Sequence, residues 1–97
     1  MTSHRYLPLA REELFDAAAF YEASVPGLGV AFLDDVERAI MTVRESPEIG
    51  ASMGRGFRKT ILRRFPFIIV YVPRDEETVI VAVAHQRRQP GYWRGRQ

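Results

Sequence analysis

The chain has 97 residues, 46% of them hydrophobic and 27% charged, with a net charge of +2. One domain is expected over residues 1–97, since a chain this long buries roughly 60–70% of its unfolded surface, enough for a single core. The absence of cysteine excludes a disulfide framework and a thiolate metal site. No stretch approaches the roughly 20 apolar residues of a membrane helix, and the first residues lack a signal-peptide pattern. The expectation is a soluble cytoplasmic protein that touches no membrane.

The charge is unevenly distributed. Residues 1–48 carry four Arg against nine Asp and Glu, a balance of −5, while residues 49–97 carry ten Arg and Lys against three acids, a balance of +7. Lys59 is the one lysine among fourteen basic residues. Arginine suits planar, bidentate or stacking contacts to phosphate, carboxylate or bases, so the basic half predicts a cationic surface for an anionic macromolecule or for a protein that handles one. A GC-rich genome accounts for the arginine excess equally well.

Residues 4–9 are expected to form a short strand ending at Pro8. Residues 10–24 read as a helix, with Leu14, Ala17, Ala18 and Tyr21 on one face and Glu12 and Glu13 in the first turn, complementing the helix dipole. The breakers in Val25-Pro26-Gly27-Leu28-Gly29 mark a tight connection. A second helix spans 28–45, with Phe32, Val36, Ala39, Ile40 and Val43 inward and Asp34, Asp35, Glu37, Arg38 and Arg44 outward, and Ser46-Pro47 stops it. The two helices should pair as an antiparallel hairpin.

Residues 48–56 have no periodicity and are expected to be loop. Gly50, Gly54 and Gly56 match no phosphate-binding fingerprint. The period then changes. Residues 57–65, 67–72 and 78–84 are strand-length runs of β-branched and aromatic residues, with a turn or bulge at Pro66 and a hairpin over 73–77. Alternation puts Phe57, Lys59, Ile61, Arg63 and Phe65 on one face of the first run and Arg58, Thr60, Leu62 and Arg64 on the other. The second and third runs are apolar on both faces and should form the centre of a sheet. The fold class is therefore α+β: a short first strand and a helix hairpin packed on a small, mostly antiparallel sheet that ends in a three-strand meander.

No Ser-His-Asp set, paired carboxylates or HxxxH spacing is present, and no metal or cofactor is expected. His85 ends the last strand, where a general-base role is conceivable and a strand-end hydrogen bond is the commoner reading. The basic first strand of the meander reads either as a phosphate- or acid-binding patch or as an edge protected by charge. Tyr92 and Trp93 among arginines suit stacking or insertion into a partner, or folding back onto the core.

The order of elements, together with Leu9-Ala10-Arg11-Glu12-Glu13-Leu14, Ser46-Pro47, Arg58, Arg64-Phe65-Pro66-Phe67, Val70-Tyr71, Val83-Ala84-His85-Gln86-Arg87-Arg88, Tyr92-Trp93 and Arg96, resembles the RelE/ParE superfamily of type II toxin–antitoxin toxins over almost the whole chain. The resemblance implies one of two activities. RelE-like members cut mRNA in the ribosomal A site, and in that reading Arg58, Lys59, Arg87 and Tyr92 would be the catalytic set. ParE-like members poison DNA gyrase by binding. Nuclease members place an arginine in the middle strand where this chain has Ile68, and losing such an electrostatic contact costs about 10²–10³ in rate. Ile68 and the Phe65-Pro66-Phe67 wording favour the ParE branch. The expected target-binding residues are Arg58, Arg64, Arg87, Arg88, Tyr92, Trp93 and Arg94, with no chemical catalyst. On that view, replacing Trp93 and Arg94 with alanine abolishes toxicity and leaves the fold largely intact. The implied partners are a cognate, ParD-like antitoxin, with gyrase as target and ribosome-bound mRNA as the alternative. Two helices cannot cover both faces of the central strands, so an acidic antitoxin segment is expected to cover the rest.

Overall fold

The computed structural model describes residues 3–96. In chain order they form β1 (Ser3–Tyr6), α1 (Pro8–Ser24), α2 (Leu28–Glu45), β2 (Ala51–Ser52), β3 (Arg58–Ile61), β4 (Phe67–Pro73), β5 (Glu77–His85) and a closing 3₁₀ turn, Arg94–Arg96. The five strands make one sheet in the order β1-β5-β4-β3-β2. The pairs β2–β3, β3–β4 and β4–β5 are antiparallel, while β1 lies parallel to β5, Ser3 opposite Glu77 and Tyr6 opposite Ile80. The fold is the expected α+β arrangement of a helix hairpin on a small mixed sheet.

β1 stops before Pro8 because Pro8 opens α1. A proline in the first helical turn gives up an N–H that has no partner there anyway. Glu12 and Glu13 thus fall in the second turn and not, as expected from sequence, in the first. Leu7 donates its N–H to the Ile80 carbonyl at 2.9 Å, the last rung between the chain start and β5. α1 buries Ala10, Leu14 and Ala18, and α2 buries Phe32, Val36, Ile40 and Val43.

The connection between the helices is held by Glu22, whose carboxylate accepts the N–H groups of Gly27 and Gly29. A Cβ on Gly29 would lie 2.6 Å from the Ala18 carbonyl, so only glycine permits this approach of the two helices. Beneath the hairpin, Tyr21, Phe32, Phe65 and Phe67 interlock at centroid separations of 4.8–6.2 Å. Offset and edge-on ring pairs of this kind add roughly 0.5–1.5 kcal/mol each beyond area burial.

The basic strand is shorter than expected. β3 ends at Ile61, and residues 62–65 turn, so alternation does not run through them. Leu62 and Phe65 both enter the helix-side core, whereas Phe57 enters the core on the opposite face, contrary to the grouping of Phe57 with Phe65. Asp35, expected on the wet face of α2, is 2% exposed. It accepts the Arg64 N–H at 3.0 Å and an Arg38 guanidinium N–H at 3.0 Å, tying α2 to the turn after β3.

β4 and β5 carry apolar side chains on both faces. Ile69, Tyr71, Ile80 and Val83 face the helices, and Val70, Val79, Val81 and Ala82 face away. Val81 and Ala82 share a face because the register shifts there: Val70 pairs with Ala82 and Tyr71 with Ile80, leaving Val81 as the extra residue of a bulge. Most of the second face is covered by the chain itself and not, as the sequence suggested, by a partner. The chain's own C-terminal segment lies across it, with Trp93 1% exposed against Phe57, ring centroids 4.8 Å apart.

Candidate binding surface

Residues 86–96 leave β5 and run as a strap across the face opposite the helices. The strap is fastened at the edge of β5. β1 accompanies β5 only as far as Ile80, so among the described residues the rest of β5 has no strand beside it on that edge. A side-chain pair takes the strand's place. Glu13 of α1 accepts the Val83 N–H at 3.0 Å, and Arg96 donates to the Val81 carbonyl at 3.0 Å. Arg96 also grips Glu13 with two bonds of 2.8 Å, and the Tyr92 hydroxyl donates to the same carboxylate at 2.6 Å. The two ionic side chains are 16% and 13% exposed, so this is a largely buried, bidentate pair.

The electrostatics follow. Burial alone would raise the Glu13 pKa, but hydrogen bonds from Arg96, Tyr92 and the Val83 amide, with the Arg96 charge, hold it below the usual carboxylate value. Tyr92 is pushed up to about 12, first by burial and then by its bond to the Glu13 carboxylate and that group's charge. Arg96 is raised, chiefly by its hydrogen bonding to Glu13.

Between the strap and the ends of β3 and β4 lies an open cleft of about 320 Å³. Its apolar surface comes from Met53, Ile61 and Ile68, and its polar rim from Lys59, His85 and Arg88. None of the residues lining it is acidic. Ile61 is 58% exposed.

The expected site residues divide. Arg87, Arg88 and Arg94 are exposed along the strap. The Arg88 guanidinium lies 3.9 Å from the Tyr92 ring centre, and Arg94 lies 4.7 Å from that of Trp93 while donating to the Met53 carbonyl. Arg64 is exposed in the turn between β3 and β4. Arg58 is committed elsewhere. It points to the helix side and donates to the Glu48 and Gly50 carbonyls at 3.2 and 2.7 Å, pinning the loop before β2. The same loop is held by Tyr71, whose buried hydroxyl donates to the Pro47 carbonyl and accepts the Gly50 N–H. Trp93 is core, so it presents no anchor to a partner, and its removal opens a void.

The set expected for a nuclease does not assemble. Arg58 and Lys59 serve opposite faces of β3, Tyr92 is half-buried with its hydroxyl on Glu13, and Ile68 is part of the cleft floor. His85 accepts the Arg87 N–H at its Nδ1, the strand-end role expected of it. Among the described residues no group of His, Asp or Glu could hold a metal. Likewise among them, no helix is long and apolar enough to cross a membrane.

Sequence reasoning missed Glu13 and Asp35. A signal was present: Glu13 stands three residues after Ala10 and four before Ala17, and Asp35 three after Phe32 and four before Ala39. A carboxylate inside an apolar helical stripe needs a partner.

The architecture and the strap define a small scaffold that presents a basic, partly apolar surface. Residues 5–90 match the family model described as the ParE toxin of the type II toxin–antitoxin system parDE, and the chain belongs to that family. A solved structure titled "Chromosomal ParDE TA system from P. aeruginosa" has the same fold, with a TM-score of 0.74 at 20% identity, covering 88% of this chain and 96% of that one. No curated protein matches the sequence.

Proposed function

We propose that this toxin acts on DNA gyrase by binding, that no side chain serves as a chemical catalyst, and that a ParD-like antitoxin neutralises it. The observation that carries this reading is the floor of the cleft. Ile68 stands where charge on a cleaved phosphate would need a cation, and the nearest phenol, Tyr92, is committed to Glu13 with a pKa near 12. A site built this way can hold a partner and lacks a cation at the floor position where phosphoryl charge would develop. The exposed strap cations, Arg87, Arg88 and Arg94, with Arg64 exposed in the turn between β3 and β4, supply the charge for target recognition.

An antitoxin partner is supported by family membership, by the ParDE title of the similar structure, and by uncovered apolar side chains on the hairpin. On α1, Phe15 is 52% and Phe20 68% exposed. Expression of the toxin without antitoxin tests the reading. Gyrase poisoning induces a DNA-damage response and filamentation while translation continues. Translation arrest ahead of any DNA-damage response would instead promote mRNA cleavage.

A further inference from the structure

The cleft beside the strap has chemistry that selects its occupant. Its floor is aliphatic, from Met53, Ile61 and Ile68, and its rim is cationic and free of carboxylates. At about 320 Å³ it lies at the small end of ligand pockets, roughly 300–1,000 Å³, which suits one or two side chains rather than a whole cofactor. Ile61, 58% exposed in an otherwise well-packed sheet, is the apolar surface most in need of a cover here.

Of the aromatic residues bordering the cleft, Tyr92 and Trp93 offer no free stacking face, and the His85 ring sits edge-on to Phe67 at 5.2 Å with its Nδ1 accepting the Arg87 N–H. Trp93 is buried against Phe57, and the Tyr92 ring carries the Arg88 guanidinium at 3.9 Å and Arg96 at 5.0 Å. Unpaired nucleic acid combines a cationic groove with bases stacked on open aromatic rings, and with both large rings occupied this cleft supplies only the first. An aliphatic side chain flanked by carboxylates satisfies both floor and rim.

We propose that this cleft docks an acidic, extended protein segment carrying an aliphatic anchor, supplied by the toxin's target. The anchor enters over Ile61 and Ile68, and the flanking carboxylates meet Lys59 and Arg88. Ile68 then has a positive role, since an arginine at that position would charge the floor on which the anchor rests. This rests on the reading that the toxin acts by binding a protein, and it goes further by naming the contact and its chemistry.

The test is independent of any particular target. A synthetic Asp-Glu-Leu-Leu-Glu-Asp peptide, the same peptide with serines for leucines, one with lysines for the acids, and a single-stranded RNA hexamer are titrated into the isotope-labelled full chain. The leucine–acid peptide is expected to shift the amides of Ile61, Ile68, His85 and Gly91. Both peptide controls are expected to bind about tenfold more weakly or worse. Lys59→Glu and Ile61→Asp should each weaken the leucine–acid peptide by about tenfold, while Arg74→Glu, at the far end of β4, should not. Shifts confined to the helix hairpin, equal binding of the lysine peptide, or displacement of the peptide by RNA would overturn the proposal. Gyrase supercoiling assays separate the two readings. Peptide docking without gyrase inhibition removes gyrase as target and leaves the docking site standing. Undiminished gyrase inhibition by Ile61→Asp removes the cleft and leaves the target standing.

Discussion

Replacing Glu13 with alanine removes the acceptor of four hydrogen bonds at once, from the Val83 amide, the Tyr92 hydroxyl and two Arg96 nitrogens. It leaves a cation 13% exposed without its counter-charge, next to a strand edge that has no neighbouring strand among the described residues. Breaking a buried pair from one side costs about 3–5 kcal/mol, because the surviving charge stays desolvated. The strap relieves part of that by swinging Arg96 into water, but this uncovers the Trp93 core. A loss of about 4 kcal/mol is a large share of the roughly 5–15 kcal/mol that stabilises a small domain. At about 4–8 °C per kcal/mol, the midpoint of thermal unfolding should fall by roughly 16–32 °C. Circular dichroism reads the midpoint, and hydrogen exchange at the Val83 amide reads the local opening. The pH dependence carries a second signature. The folded pKa of Glu13 lies below its unfolded value of 4.5, so its contribution is fully present above pH 4.5 and is lost as pH falls through the folded value. Glu13→Gln should lose that acid-side slope. A midpoint within 3 °C of wild type for Glu13→Ala, with Val83 still protected, would refute the idea that this pair fastens the strap.

Trp93→Ala should cost about 3–5 kcal/mol by emptying a core position, and the wild-type emission of this single tryptophan should be blue-shifted and resistant to quenchers until the strap opens. Because the folded pKa of Tyr92 is raised to about 12 from 10.0, its contribution is complete below pH 10 and is lost as pH rises towards 12, so alkaline unfolding followed by phenolate absorbance should lose one late-titrating tyrosine in Tyr92→Phe. Gly50→Ala should cost about 1–3 kcal/mol in a urea titration, since the new Cβ meets the buried Tyr71 hydroxyl and lies 2.7 Å from the Lys59 carbonyl.

The parts of the fold that were legible in the sequence are those set by local periodicity. The second helix occupies 28–45 as expected, because apolar residues at helical spacing continue to Ser46-Pro47. The change to strand period near Phe57 correctly located the meander. Illegible parts depended on partners far away in the chain. Nothing local to residues 3–6 says that they lie parallel to residues 77–80. Nothing local to Val81 marks it as the extra residue of a bulge. Tyr92 and Trp93, set among arginines, read either as a presented surface or as folding back onto the core; the Trp93 ring is core and the Tyr92 ring is half-buried. Arg58, expected as a target contact, directs its guanidinium to two backbone carbonyls in the loop before β2. The cleft was half legible: Ile68 was singled out as an absent arginine, but its place beside Ile61 and Met53 needed the sheet and strap together.

The most direct test of the account is a paired assay on one preparation of the purified toxin. In the first arm it is added to DNA gyrase and relaxed plasmid, in the second to a translating extract whose mRNA ends are mapped. The account predicts loss of supercoiling at toxin concentrations that leave the mRNA uncut, with supercoiling restored once antitoxin is added. Codon-specific mRNA cleavage with unimpaired supercoiling would contradict it.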